Sequence, residues 1–215
     1  MHVRLLKRVI LNGATASACF FQAFAQHGHV TGTIYAKGKE IGFYESSRRI
    51  LPGGELSSEM TLKSTVYGGH MTISYLYARS GRPIEMSWHR TTPVDVQGRV
   101  EFGAHGAKLT LKSNSKTEIK NLEYPHRANL GERTRFWFIR DHPRLGETVT
   151  FTDFDIKSQG WVSATTTYIG DEEVTYHGKT ILAHKVKTDR GARWVDNMDL
   201  PYRIESNNKE TLIRN

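Results

Sequence analysis

The stretch DFD places Asp153 and Asp155 two residues apart, a spacing that can do chemistry. On a strand, residues i and i+2 share a face, so the two carboxylates would sit side by side, able to bind calcium or to divide acid and base roles. Lys157 stands at the next ligand position of a calcium loop and the glycine comes late, at Gly160, so a solvated pair at a strand end is the favoured reading. With Asp196 as a further acid and His89 or His184 as base, these residues define an enzyme alternative, a hydrolase or lyase acting on an envelope polysaccharide. Glu172 and Glu173, in IGDEEV, read as solvated turn residues.

Other familiar constellations are missing. There is no Gly-x-Ser-x-Gly elbow to expose a serine nucleophile. The one close histidine pair, His27 and His29 in QHGH, lacks the spacing for a terminal copper or nickel chelate if the chain is cut after Ala25, because His27 is then second rather than third. Adventitious binding by a loose tail is the plainer reading. No catalytic residues, metal or cofactor are therefore expected.

The aromatic residues point elsewhere. Tyr75, Tyr77, Trp88, Trp137 and Trp194 are candidates to line an apolar cavity, alongside Trp161, Phe136 and Phe138. In a two-sheet sandwich they would be core, whereas a half-closed barrel leaves an interior that can hold an acyl chain or similar ligand.

The elements that must position these residues repeat with period two. Met71, Ile73, Tyr75 and Tyr77 alternate with Thr72, Ser74 and Leu76; Ser80 and Gly81 mark a turn, and Ile84, Met86 and Trp88 resume the apolar face. HVTGTIYAKGKEIGFYE has the same form around KGK, and Val149 and Phe151 alternate with Thr148, Thr150 and Thr152. Later strands are expected to break at Gly170 and Gly178. The polar stretch 113–133, with Pro125, reads as a crossover between two halves. About ten to twelve short strands and no amphipathic helix predict an all-β fold: an antiparallel meander curling into a barrel, half-barrel or two-sheet sandwich.

The first residues set the compartment. Arg4, Lys7 and Arg8 precede an apolar and small-residue stretch that ends Ala23, Phe24, Ala25, the pattern of a secretory signal peptide over 1–25 with one β domain over 26–215. Asn12, Gly13 and Thr15 interrupt the apolar run, against the about 20 apolar residues of a membrane span. Cys19 after ASA carries a competing reading, in which cleavage leaves a lipidated cysteine. Cleavage after Ala25 instead leaves a mature chain without cysteine, indifferent to an oxidising periplasm and incapable of thiolate chemistry. The formal charge of +8 falls to +5 when the three basic leader residues go, and the remaining basic residues are scattered, with Arg48 and Arg49 as a doublet. A nucleic-acid stripe is not expected.

The order FWFIRDHPRLGETVTF, TYIGDEEVTYHGKTILAHKVKT, RWVDNMDLPYRIES resembles a family of exported bacterial β-proteins of undefined function. The family's opening strand pair carries an Ile-Gly-aromatic step on its second strand, here Ile41, Gly42 and Phe43, and a later strand runs into a Trp-x-Asp turn, here Trp194, Val195 and Asp196. The resemblance implies a curved antiparallel sheet similar to periplasmic lipoprotein carriers and supplies no reaction. NMD follows where a glycine is usual, so Asn197 is expected to take the left-handed conformation. The resulting expectation is a periplasmic, non-enzymatic envelope protein that binds a hydrophobic or amphiphilic envelope ligand or docks an envelope protein.

Overall fold

Alternating apolar and polar residues, cut by turns that demand positive φ, give antiparallel hairpins in the computed structural model, which describes residues 27–64, 69–130 and 137–215. The leader 1–25, Cys19 and Phe136 lie outside the described residues. Among the described residues, fourteen strands form one sheet: β1 (His27–Ala36), β2 (Lys39–Ile50), β3 (Leu56–Ser64), β4 (Gly69–Tyr77), β5 (Pro83–Arg90), β6 (Val96–Phe102), β7 (Gly106–Ser113), β8 (Lys116–Glu123), β9 (Thr148–Asp155), β10 (Gly160–Tyr176), β11 (Lys179–Thr188), β12 (Gly191–Val195), β13 (Pro201–Ser206) and β14 (Glu210–Arg214). A single helical turn, α1 (Trp137–Arg140), precedes β9.

The strand order runs β8 to β1, then β14 to β9, so β1 and β14 join two meanders and β8 and β9 are the edges. Every pairing is antiparallel. Three hairpins turn through two residues at positive φ: Lys37-Gly38, Asn114-Ser115 and His177-Gly178. That is the primed turn whose twist matches the strands it joins.

The sheet rolls far enough to overlap itself. On β9, Val149, Phe151 and Asp153 share one face with Val162, Ala164 and Thr166 of β10, while Phe154 and its partner Trp161 face the other way. Yet Phe154 is buried among Ile73, Met86, Trp88, Val100 and Leu109, the inner-face residues of β4 to β7. The β4–β7 wall, with Leu122 of β8 at its margin, therefore lies over the outer face of β9 and β10. The two edges do not hydrogen-bond as strands; Phe154 against Trp88, with ring centroids 5.9 Å apart, fills the seam instead. Trp161 adds a hydrogen bond from Nε1 to the Glu123 carbonyl at 2.7 Å.

Several local expectations change. Residues 116–123 form β8, so the connection starts at 124 rather than 113; the strand is polar because it is an exposed edge. Asn129 runs beside β9, its backbone amide reaching the Thr152 hydroxyl at 3.0 Å and its side chain the Thr150 carbonyl at 2.8 Å. Gly170 does not end a strand: at φ 120° it forms a bulge inside the 17-residue β10, which runs on to Tyr176. Glu172 and Glu173 are therefore strand residues rather than turn residues. His27 and His29 belong to β1, not to a loose tail. The helix α1 is too short to show amphipathic periodicity in the sequence, yet it buries Trp137 and Phe138 against Val149, Phe151, Val186 and Val195.

Candidate functional site

Inside the roll, the inward residues of successive strands enclose two adjoining cavities of about 480 Å³ each, sharing Met60, Tyr75, Asp153 and Arg190. One sets the apolar side chains of Met60, Met71, Ile73, Tyr75, Met86 and Trp88 against charged ones at its other side, Arg90, Asp155, Lys157 and Arg190 among them. The other mixes Tyr44, Phe151, Ile204 and Leu212 with a set of buried polar residues: Ser46, Arg48, Ser58, Thr166 and Asp199.

The polar set is built around a turn. Asp196 Oδ1 accepts the backbone amides of Met198 and Leu200, both at 2.9 Å, and its Oδ2 takes Arg214 at 3.2 Å. This staple turns the chain between β12 and β13 and presents Asp199 inward. Asp199, not Asn197, holds the left-handed conformation, with φ 57°. An aspartate tolerates that region better than most residues because its short side chain can bond locally.

Asp199 is completely buried and meets two guanidinium groups, Arg48 at 2.6 Å and Arg193 at 3.3 Å. Arg48 also donates to the Met198 carbonyl at 2.6 Å and to Ser58 Oγ at 3.2 Å. A nearby phenol, Tyr44, reaches the Pro201 carbonyl at 3.4 Å, and burial pushes its pKa far up, with Arg214 pulling only partly the other way. The cavity wall thus carries a desolvated cluster of charge.

The fold resembles a known one of undefined role. No protein-family model and no curated protein matches the sequence. Among solved structures, the chain is similar to the crystal structure of a β-barrel-like protein of Domain of Unknown Function DUF1849 from Brucella abortus. The TM-score is 0.56, with 8% sequence identity over 87% of this chain and 94% of that one. At that identity the likeness is one of fold: an all-β, curved antiparallel sheet, as both the strand pattern and the resemblance drawn from the sequence imply.

The sequence-derived candidates divide. Tyr75 lines both cavities and stacks on buried Tyr77, centroids 5.8 Å apart. Trp88 borders the cavity of Met71 and Met86 while sealing the seam against Phe154. Trp137 is buried within the cluster under α1. Trp194 pairs with Lys185 and Arg203 on the outer face, opposite inward Arg193 and Val195. There its Nε1 donates to Glu172 at 2.8 Å, and Lys185 and Arg203 stand 4.8 and 5.1 Å from its ring.

The acid and base candidates have other partners. Asp153 accepts the Phe154 amide at 3.0 Å; Asp155 accepts the Ser158 amide at 2.8 Å, the main cause of its lowered pKa, and takes Arg190 at 3.2 Å. His89 pairs with Asp95 at 3.1 Å. His184 lies between Asp171, at 2.6 Å, and Asn197, at 2.8 Å. Tyr168 donates to the same Asp171 oxygen at 2.7 Å; burial and that bond push the phenol up to about 12. None of Asp153, Asp155 and Asp196 is bonded to His89 or His184. Among the described residues no group of three or more His, Cys, Asp or Glu converges as a metal site.

Arg48, Arg193 and Asp199 were not among the sequence candidates. Parity carried the signal: Tyr44, Ser46 and Arg48 alternate on one face of β2, so the Arg48-Arg49 doublet splits, one inward and one outward.

Proposed function

We propose that this chain is an exported, non-enzymatic protein of the bacterial envelope that holds a hydrophobic or amphiphilic ligand inside its rolled sheet. The observation that carries this reading is the pair of adjoining cavities, each of about 480 Å³, whose walls set apolar and aromatic side chains beside charged ones. Small-molecule sites are of this kind: concave, about 300–1,000 Å³, mostly apolar, with a few polar groups that fix orientation. Export rests on the leader pattern, and a mature chain beginning at Gln26 is its expected mass.

The test is extraction. Protein purified from its native envelope without detergent should release, into organic solvent, a hydrophobic small molecule in near-stoichiometric amount by mass spectrometry. Ala164 lines the polar cavity, and Ala164→Trp should fill it and abolish recovery while the chain stays folded by circular dichroism. A clean extract from the unmodified protein, or equal recovery from the variant, would overturn the reading.

A further inference from the structure

Resting on that cavity reading, we propose that the ligand enters and leaves sideways through the seam, with the tip of the β9–β10 hairpin, residues 154–161, swinging as a flap away from the opposite wall. Among the described residues, a ladder of backbone hydrogen bonds ties each strand to its neighbours in the order from β8 to β9, and where the roll meets itself β8 and β9 share none. One cavity lies on that line: Met71, Met86 and Trp88 wall it from one side, Phe154, Ile156 and Gln159 from the other. Parting two paired strands would strip backbone N–H and C=O groups of their partners beside apolar side chains, a cost that parting the seam does not carry. An apolar ligand passing between the walls replaces the contacts that the parted side chains give up.

The tip is built to move as one piece. Phe154 pairs with Trp161 and Asp155 with Gly160, and the Asp155 carboxylate accepts the Ser158 amide at 2.8 Å inside the turn. Asn129 sets the hinge: its carbonyl accepts the Thr152 amide at 2.8 Å and its side chain donates to the Thr150 carbonyl at 2.8 Å, so β9 is pinned as far as Thr152. The tip meets the opposite wall through side chains. Phe154 lies 5.9 Å from the Trp88 ring, and Trp161 lies 5.0 Å from Tyr124 and 6.0 Å from Phe102. Trp161 Nε1 donates to the Glu123 carbonyl at 2.7 Å, and Lys120 Nζ donates to Gln159 Oε1 at 3.3 Å. Rings that part leave no polar group unpaired, and water can take the place of the two polar contacts as the tip lifts.

The experiment locks the seam. In a Cys19→Ser background, which removes the chain's own thiol, Lys120→Cys and Gln159→Cys are joined by a short bis-maleimide. Stopped-flow fluorescence then follows uptake and release of N-phenyl-1-naphthylamine, a neutral apolar probe, by the full chain. The expected result is that the crosslink slows uptake and release alike, by about tenfold or more, and leaves the equilibrium affinity unchanged, because a gate alters both rates and not the bound state. Trp161→Phe, which removes the bond to Glu123 and keeps a ring, should act the other way, speeding both rates equally at unchanged affinity. Equal rates in locked and unlocked protein place entry elsewhere, as at the rim of Asp189 and Glu205, and overturn the seam route while the cavity reading stands. Slowed uptake with unslowed release overturns it too, because the lock then acts on the cavity itself. If the unmodified protein takes up no probe, both readings fall. Should the paired variant not fold, Trp161→Phe decides: unchanged exchange rates there sink the flap.

Discussion

At the scale of single residues, burial turns small chemical changes into large effects. Asp199→Asn keeps the shape of a fully buried side chain and removes the charge that compensates two guanidinium groups. Breaking a buried pair in this way costs about 3–5 kcal/mol, because the remaining charge is left desolvated. Urea unfolding should show that loss, and the outward Arg49→Gln should cost less than about 0.5 kcal/mol. Gly32 makes the complementary case: an added Cβ would collide with the Tyr44 ring and the Ile213 carbonyl. Tyr44 is completely buried and cannot yield, so Gly32→Ala should destabilise by about 1–3 kcal/mol in the same assay. Neither residue was legible in the sequence as special. Asp199 sits three residues after the Trp-x-Asp step that drew attention to Asp196, and only the staple made by Asp196 shows which of the two carboxylates turns inward.

At the scale of elements, period two was legible and the overlap was not. Alternation along β4, β5 and β9 assigns Tyr75, Trp88 and Phe151 to the inside. It also assigns Phe154 to the outside, correctly, but a sequence carries no sign that another wall of the same sheet covers that outside. Phe154→Ala should therefore behave as a core deletion, costing about 3–5 kcal/mol. Hydrogen exchange should quicken in β7 and β8 more than in β1 and β14, which would distinguish seam opening from general loosening. The β10–β11 hairpin carries a second device, the cluster of Tyr168, Asp171 and His184. Burial raises the Asp171 pKa, but hydrogen bonds from Tyr168 and His184 and the adjacent imidazole outweigh it, and the net shift is downward. A carboxyl whose folded pKa is depressed stabilises above its unfolded value of about 3.9 and loses that contribution as pH falls through the lower folded value. Asp171→Asn should thus lower stability at neutral pH and narrow the difference from the parent below about pH 4, read from melting temperatures across the range.

At the scale of the whole molecule, a sheet of fourteen strands that rolls past itself still has two edges, and an unpaired edge is a template for association. The β9 edge is covered in part by Asn129, through its bonds to Thr150 and Thr152. Among the described residues the β8 edge has no such cover along Lys116–Asn121; the strand is charged instead, with Lys116 and Glu118 exposed and Lys120 half-buried on the face of Leu109 and Leu111, and Ile119 57% exposed on the other face. Charge on an edge resists pairing because a second copy would have to desolvate lysines and glutamates to gain its backbone hydrogen bonds. That same polarity is why the strand reads as a crossover in the sequence: the property that keeps the edge single also hides it. Replacing Lys116, Glu118 and Lys120 together by threonine keeps strand propensity and removes the charge. The triple variant should associate with rising concentration in sedimentation velocity runs while the parent keeps one sedimentation coefficient, and protection from hydrogen exchange should rise at β8 on association. A variant that stays at the parent's coefficient throughout would mean that the twist of the roll, rather than its charge, protects the edge.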